Sequence, residues 1–141
     1  MKSFKLDIVS AEKSLFSGEV EFVIATRESG ELGIFPGHTA LLTRLKPGQI
    51  RTKLSNTEQE ALFYISGGIL EVQPNGITVL ADTAMRAEDL DEAAAMATRE
   101  HAEKIMQESA TKMEYGAALQ ELAQAIAQLR TIRMLRKESQ H

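Results

Sequence analysis

Three histidines, His38, His101 and His141, are the only imidazoles available for proton transfer near neutral pH. His38 closes the turn-rich segment Glu31–His38, ELGIFPGH. A general base needs an acid or nucleophile held within hydrogen-bonding reach, and no spacing in the chain singles one out. His38 therefore reads as a loop residue at a surface or interface. His101 stands in a helical stripe and reads as a packing or surface residue. Gly67-Gly68 and the glycines at 30 and 33 raise the question of phosphate binding. A P-loop ends in Gly-Lys-Ser/Thr, and a dinucleotide fold carries its glycines from a strand into a helix; neither pattern is present, so these glycines read as turn formers. The chain has no cysteine, which removes thiol catalysis, disulfides and Cys-ligated metal sites together. No catalytic constellation emerges, and the chain is expected not to be an enzyme by itself.

One charge feature remains. Arg130, Arg133, Arg136 and Lys137 cluster near the C-terminus with no acid between Ala123 and Lys137. Three of them at a spacing of three share much of one helix face. Such a tip complements the helix dipole, or docks on an acidic surface of a partner; spacing alone leaves both open. The chain as a whole carries 16 basic and 20 acidic residues, a net charge of −4, which argues against nucleic acid as a partner. Without an apolar run of membrane-spanning length or the apolar core of a signal peptide, the expectation is a soluble intracellular protein whose membrane association comes through a partner.

The elements that position these residues change character near residue 86. Eight of nine glycines, all three prolines and all five phenylalanines precede that point, while alanines rise from six before it to twelve after it. Glycine, proline and aromatics belong to turns and strands, alanine to helices. In the first half Phe4, Leu6 and Ile8 alternate with polar residues, as do Val20, Phe22 and Ile24, and Ile50, Thr52 and Leu54. Residues 61–65, 69–72 and 77–80 read as further strands. Turn signals every ten residues or so predict an antiparallel β-sandwich or barrel, and the lack of crossover helices argues against a parallel sheet.

The second half predicts two helices in an antiparallel hairpin. Asp89 with Glu92, and Thr111 with Glu114, have capping-box spacing. The first helix is expected to end near 106–107 and the second near 135–136. Tyr115, Leu119, Leu122, Ile126 and Leu129 form a seam-like stripe, answered by Leu90, Ala94, Ala97, His101 and Ile105. A stripe so rich in alanine buries little area, so the hairpin must lean on the sandwich or on another protein, and a pair so held is able to detach.

The segments LDIVSAE (6–12), LFSGEVE (15–21), GELGIFPGH (30–38), SGGILEVQP (66–74), TVLADTA (78–84), DLDEA (89–93) and AIAQLR (125–130) occur in this order. In them the chain resembles the epsilon subunits of bacterial F-type ATP synthases over essentially its whole length. The resemblance implies an α+β chain: a ten-stranded sandwich over residues 1–86 that binds the gamma subunit and the c ring, and a regulatory hairpin over 87–141. It implies a non-catalytic part of the central stalk, with catalysis on the beta subunits and no cofactor of its own. Proton flow (or sodium flow) would drive the motor, at the cytoplasmic face of the inner membrane. By position, Glu31 would lie in the loop facing the c ring, and Ser10 and His38 would face gamma. The hairpin would either fold on the sandwich or extend to inhibit ATP hydrolysis, with Arg130, Arg133, Arg136 and Lys137 meeting the alpha and beta subunits. Some relatives bind ATP on the folded hairpin through a Leu/Ile-Asp-x-x-Arg-Ala motif. Here Leu90 and Asp91 are followed by Ala94 at the arginine position, and the facing residues are Gln124 and Gln128. A free-standing ATP sensor is the alternative reading, and those missing cations weigh against it.

Overall fold

The computed structural model describes residues 2–139. Nine strands come first: β1 (Phe4–Ser10), β2 (Ser14–Arg27), β3 (Gly30–Ile34), β4 (Leu41–Leu45), β5 (Gly48–Leu54), β6 (Glu60–Ile65), β7 (Gly68–Gln73), β8 (Gly76–Ala81) and β9 (Ala84–Arg86). A 3-10 turn at Ala87–Asp89 leads into helices α1 (Glu92–Glu108) and α2 (Lys112–Ser139).

The strand order β4-β7-β8-β1-β2-β5-β6-β9, with β3 paired to β2, folds into two layers because β2 serves both. Its first half pairs with β1 and its second half with β5 and β3, and Val20 is opposite Phe4 on one side and Leu54 on the other. Counted once per layer, β2 brings the nine strands to ten segments. The expected sandwich is present, with one departure from antiparallel order: β1 and β8 run parallel. The strands between them, rather than a helix, form the connection.

The core lies between the layers. Leu6, Ile8, Val20, Leu70, Val72, Ile77 and Val79 from one layer meet Val23, Ala25, Ile34, Ile50, Phe63 and Ile65 from the other. The alternation expected in β2 fails at one point. Val20 is buried, but the next inward residues are Val23 and Ala25, while Phe22 and Ile24 are only half-buried. The pairing register shifts between Val20 and Phe22, and the extra residue reverses which parity faces inward. Three strands lie where turns or no element were expected, one of them β9, the short Ala84–Arg86 segment paired with β6. The segment from Glu31 is strand through Ile34 before its turn at Pro36-Gly37, and Leu41–Leu45 pairs with β7 at the edge of the sheet.

The helices differ in detail from their expected frames. Asp91, not Asp89, caps α1: its carboxylate accepts from the Ala94 amide at 3.1 Å, while Asp89 belongs to the 3-10 turn. Thr111 caps α2 by accepting from the Glu114 amide at 3.1 Å, and Glu114 reaches back to the Ala110 amide. Helix α2 continues past the expected stop at 135–136 as far as Ser139.

Candidate functional site

Between the helices the seam is built from alanines. Ala95 and Ala102 of α1, and Ala118 and Ala125 of α2, are buried at seven-residue spacing. The stripes expected from the sequence lie to one side: Ala94, Ala97 and His101 are exposed, as are Tyr115, Leu119 and Ile126, while Leu90, Ile105, Leu122 and Leu129 are half-buried. Small side chains let two helix backbones approach closely, so alanines take the contact line and larger residues flank it.

At 100° per residue α2 therefore has three faces. Ala118, Ala125 and Ile132 meet α1. Gln124, Ala127, Gln128 and Thr131 point toward the sandwich, where α2 rests on β5, β6 and the 3-10 turn. Tyr115, Leu119 and Ile126 form a third face that is open, and it continues into exposed Arg130 and Arg133. At the open end of the hairpin Arg136 pairs with Glu92 of α1. Met134 and Leu135 are half-buried and Lys137 is exposed.

The contact with the sandwich joins buried apolar groups (Leu62, the Tyr64 ring and Ala87) to a buried polar cluster. The Gln49 side-chain amide donates to the Ala127 carbonyl and to the Thr131 hydroxyl, each at 3.0 Å, and the Thr131 hydroxyl donates to the same carbonyl at 2.7 Å. Beside it Gln128 hydrogen-bonds Tyr64, whose hydroxyl is held above the usual tyrosine pKa of 10.0 by burial, with the Gln128 bond opposing. Neither Gln49 nor Tyr64 belongs to any motif of the sequence. A signal is nonetheless there: Gln124, Ala127, Gln128 and Thr131 repeat at i, i+3, i+4 and i+7, an uncharged and mostly polar stripe.

On the sandwich the outer face of the β4-β7-β8-β1 layer exposes Leu42, Ile69 and Leu80, with Leu42 at 67% exposure. Register sets Arg44, Ile69, Leu80 and Val9 in one row across four strands, and Leu42 opposite Glu71 in the next. Ser10 ends β1 beside this row, half-buried, with its hydroxyl toward the Lys13 carbonyl. His38 lies at the other end, sharing a depression with Ser3, Phe4, Gln73 and Pro74, its Nδ1 at 2.7 Å from the Thr39 carbonyl. The length of β1 separates them by about 20 Å. Glu31 is exposed in β3, opposite Thr26 in the other layer, rather than in a loop. Ser10, His38 and Glu31 thus mark different edges and do not form one cluster. Among the described residues no group of three metal-ligating side chains converges, and no helix is long and apolar enough to cross a membrane. His141 lies outside the described residues.

The molecule is thus a β-sandwich with an exposed apolar row on one outer face, carrying a helical hairpin seated on the other layer. Residues 3–87 match the family model for the ATP synthase delta/epsilon chain β-sandwich domain, and residues 88–133 that for its long α-helix domain; the chain belongs to the ATP synthase delta/epsilon chain family. It is 52% identical over 137 residues to the ATP synthase epsilon chain of Nitrosospira multiformis, covering 97% of this chain and 98% of the relative. With the epsilon chain of Nitrosococcus oceani the identity is 54% over 133 residues, 94% of each chain. Among solved structures the fold is similar to a chain of the Euglena gracilis mitochondrial ATP synthase OSCP/F1/c-ring assembly, with TM-score 0.71 and 18% identity over 99% of this chain and 82% of that one. A chain of the Tetrahymena thermophila mitochondrial ATP synthase central stalk and c-ring gives TM-score 0.61 and 15% identity, over 93% and 97%. At those identities the structures speak for the fold alone.

Proposed function

We propose that this chain is a non-catalytic central-stalk subunit of a bacterial F-type ATP synthase, held at the cytoplasmic face of the membrane through the complex. The observation that carries this reading is the open apolar row of the β4-β7-β8-β1 layer. An exposed, contiguous row of this kind is the mark of an interaction surface. The gamma subunit covers it lengthwise, which is how Ser10 and His38, at opposite ends of β1, meet one partner. Glu31, at the edge of the second layer, meets the c ring. Catalysis takes place on the beta subunits, and this chain transmits rotation to them.

The hairpin is the regulatory part. Released from its seat, it offers the open face of α2 (Tyr115, Leu119, Ile126, then Arg130, Arg133 and Lys137), with Arg136 at the tip on the α1 side paired to Glu92, to gamma and to acidic groups of the alpha and beta subunits, and it inhibits ATP hydrolysis there. The test is an add-back assay on a matching catalytic head lacking this chain, comparing the whole chain with one ending at Arg86. The shorter form keeps every residue of the sandwich core. The expected result is binding by both forms and inhibition by the whole chain alone. Equal hydrolysis rates with both bound would remove the inhibitory role, and failure of both to bind would remove the stalk reading.

The same seat bears on nucleotide. Ala94 carries no charge, Asp91 is engaged as the α1 cap, and Gln128 is engaged by Tyr64. Titration calorimetry on the isolated chain is expected to give no heat of ATP binding beyond dilution; tight binding would favour the free-standing ATP sensor instead.

A further inference from the structure

Among apolar patches, cavities and charged clusters, the seat beneath α2 stands apart, because two of its polar groups are deeply buried and point from one part of the chain into the other. We propose that Gln49 is a reversible latch that holds the hairpin on the sandwich and sets how often it leaves. The inference rests on the reading that the hairpin inhibits only when released.

Gln49 is 7% exposed and Thr131 is fully buried. The Gln49 side chain starts from the second residue of β5, where its own backbone amide is held by the Thr26 hydroxyl at 3.2 Å. The base of the latch is thereby fixed on the sandwich. Its amide donors then enter α2 at Ala127 and Thr131, one helical turn apart, so sliding α2 along its axis or rotating it breaks both bonds. The rest of the seat is apolar: Leu62 and the Tyr64 ring on the outward face of β6, and Ala87 of the 3-10 turn, are buried outside the sandwich core where α2 rests, beside the Ala127 methyl group.

The chemistry of these groups makes the latch reversible. When α2 lifts away, Gln49, Gln128 and Tyr64 exchange protein partners for water. The Thr131 hydroxyl keeps the Ala127 carbonyl of its own helix as acceptor. None of these donors or acceptors is left buried and unpaired, so the penalty for an orphaned polar group is absent, and the cost of opening is the apolar area of Leu62, Tyr64 and Ala87. Each bond contributes modestly, so removing Gln49 shifts the open population without unfolding either part.

The absence of native cysteine provides the assay. Ala127→Cys places a single thiol under α2, and Ala102→Cys places one in the seam between the helices; these alanines are 6% and 0% exposed. Alkylation of the isolated chain is run where opening equilibrates faster than the reagent reacts, so the rate follows the open population. Adding Gln49→Ala is expected to raise alkylation of the thiol under α2 about five- to tenfold and to leave the seam thiol unchanged. Thr131→Val, which leaves the sandwich untouched, is expected to raise alkylation under α2 about two- to fivefold and serves if the first variant folds poorly. An unchanged rate under α2 in both variants, or an equal rise in the seam, overturns the latch. Because this readout needs no ATP synthase, a flat result leaves the stalk reading standing, and a failed add-back assay leaves the latch standing.

Discussion

Gly68→Ala is expected to destabilise the sandwich by about 3–5 kcal/mol, combining a strained backbone with an overpacked contact. In a domain of this size that lowers the thermal midpoint by at least about 12 °C. Gly68 has φ +152, and a Cβ there would lie 2.2 Å from the Leu80 carbonyl oxygen and 2.9 Å from the Ala81 Cα. Both obstacles are backbone atoms. Neither moves easily, because Gly68 is paired with Ala81 on one side and with Leu45 on the other. Gly30 provides the comparison: its φ is +114, but nothing lies within 4 Å of its absent Cβ. Gly30→Ala therefore has only the conformational cost, about 1–2 kcal/mol. Thermal unfolding of the two variants followed by circular dichroism separates the terms, and equal shifts would show that the close approach at Leu80 contributes nothing.

The same pair of glycines shows what could be read from the residues in advance. Gly67-Gly68 announces a turn in the sequence; the chain bends at Ser66-Gly67, and Gly68 already opens β7. What the letters do not carry is the distance to Leu80, which depends on β8 returning across β7. Strand identity was legible wherever alternation continued unbroken, as in β1 and β5. It failed within β2, where one extra residue at Val20–Phe22 moved Phe22 and Ile24 off the inward face; a bulge has no residue signature beyond the pattern it breaks. Helix α2 misled for a related reason. Tyr115, Leu119 and Ile126 have the spacing of a buried seam, yet the alanines beside them pack closer and take the contact. The large residues stay exposed on the third face of the helix. The family motifs identified the resemblance while saying nothing of Gln49, because a latch is a relation between β5 and a helix almost eighty residues further on.

Phe63→Ala is expected to remove about 3–5 kcal/mol from the sandwich, the usual range for truncating a buried phenylalanine, with a functional consequence that Gly68→Ala lacks. Phe63 is fully buried in β6. Its ring meets Phe16 edge-on, with centroids 5.5 Å apart at 63°, and the Arg86 guanidinium lies 5.3 Å from its centroid. Arg86 also donates to the Leu15 carbonyl at 3.3 Å, and its backbone pairs with Phe63 in the β6–β9 ladder. Arg86 is the last strand residue before the chain turns toward α1, and the next residue of β6, Tyr64, is the one that holds Gln128 of α2. Phe63 thus anchors both the exit from the sandwich and the strand beneath the hairpin. Its loss should lower the urea midpoint and also loosen the seat from below. Phe63→Leu, which keeps most of the volume and loses the ring, is expected to cost less, about 1–2 kcal/mol. Urea titrations of both variants give the stabilities. Combining each with Ala127→Cys and alkylating at low urea gives the open population. A Phe63→Ala chain with the full stability loss but an unchanged alkylation rate under α2 would show that the exit strand and the hairpin seat are independent.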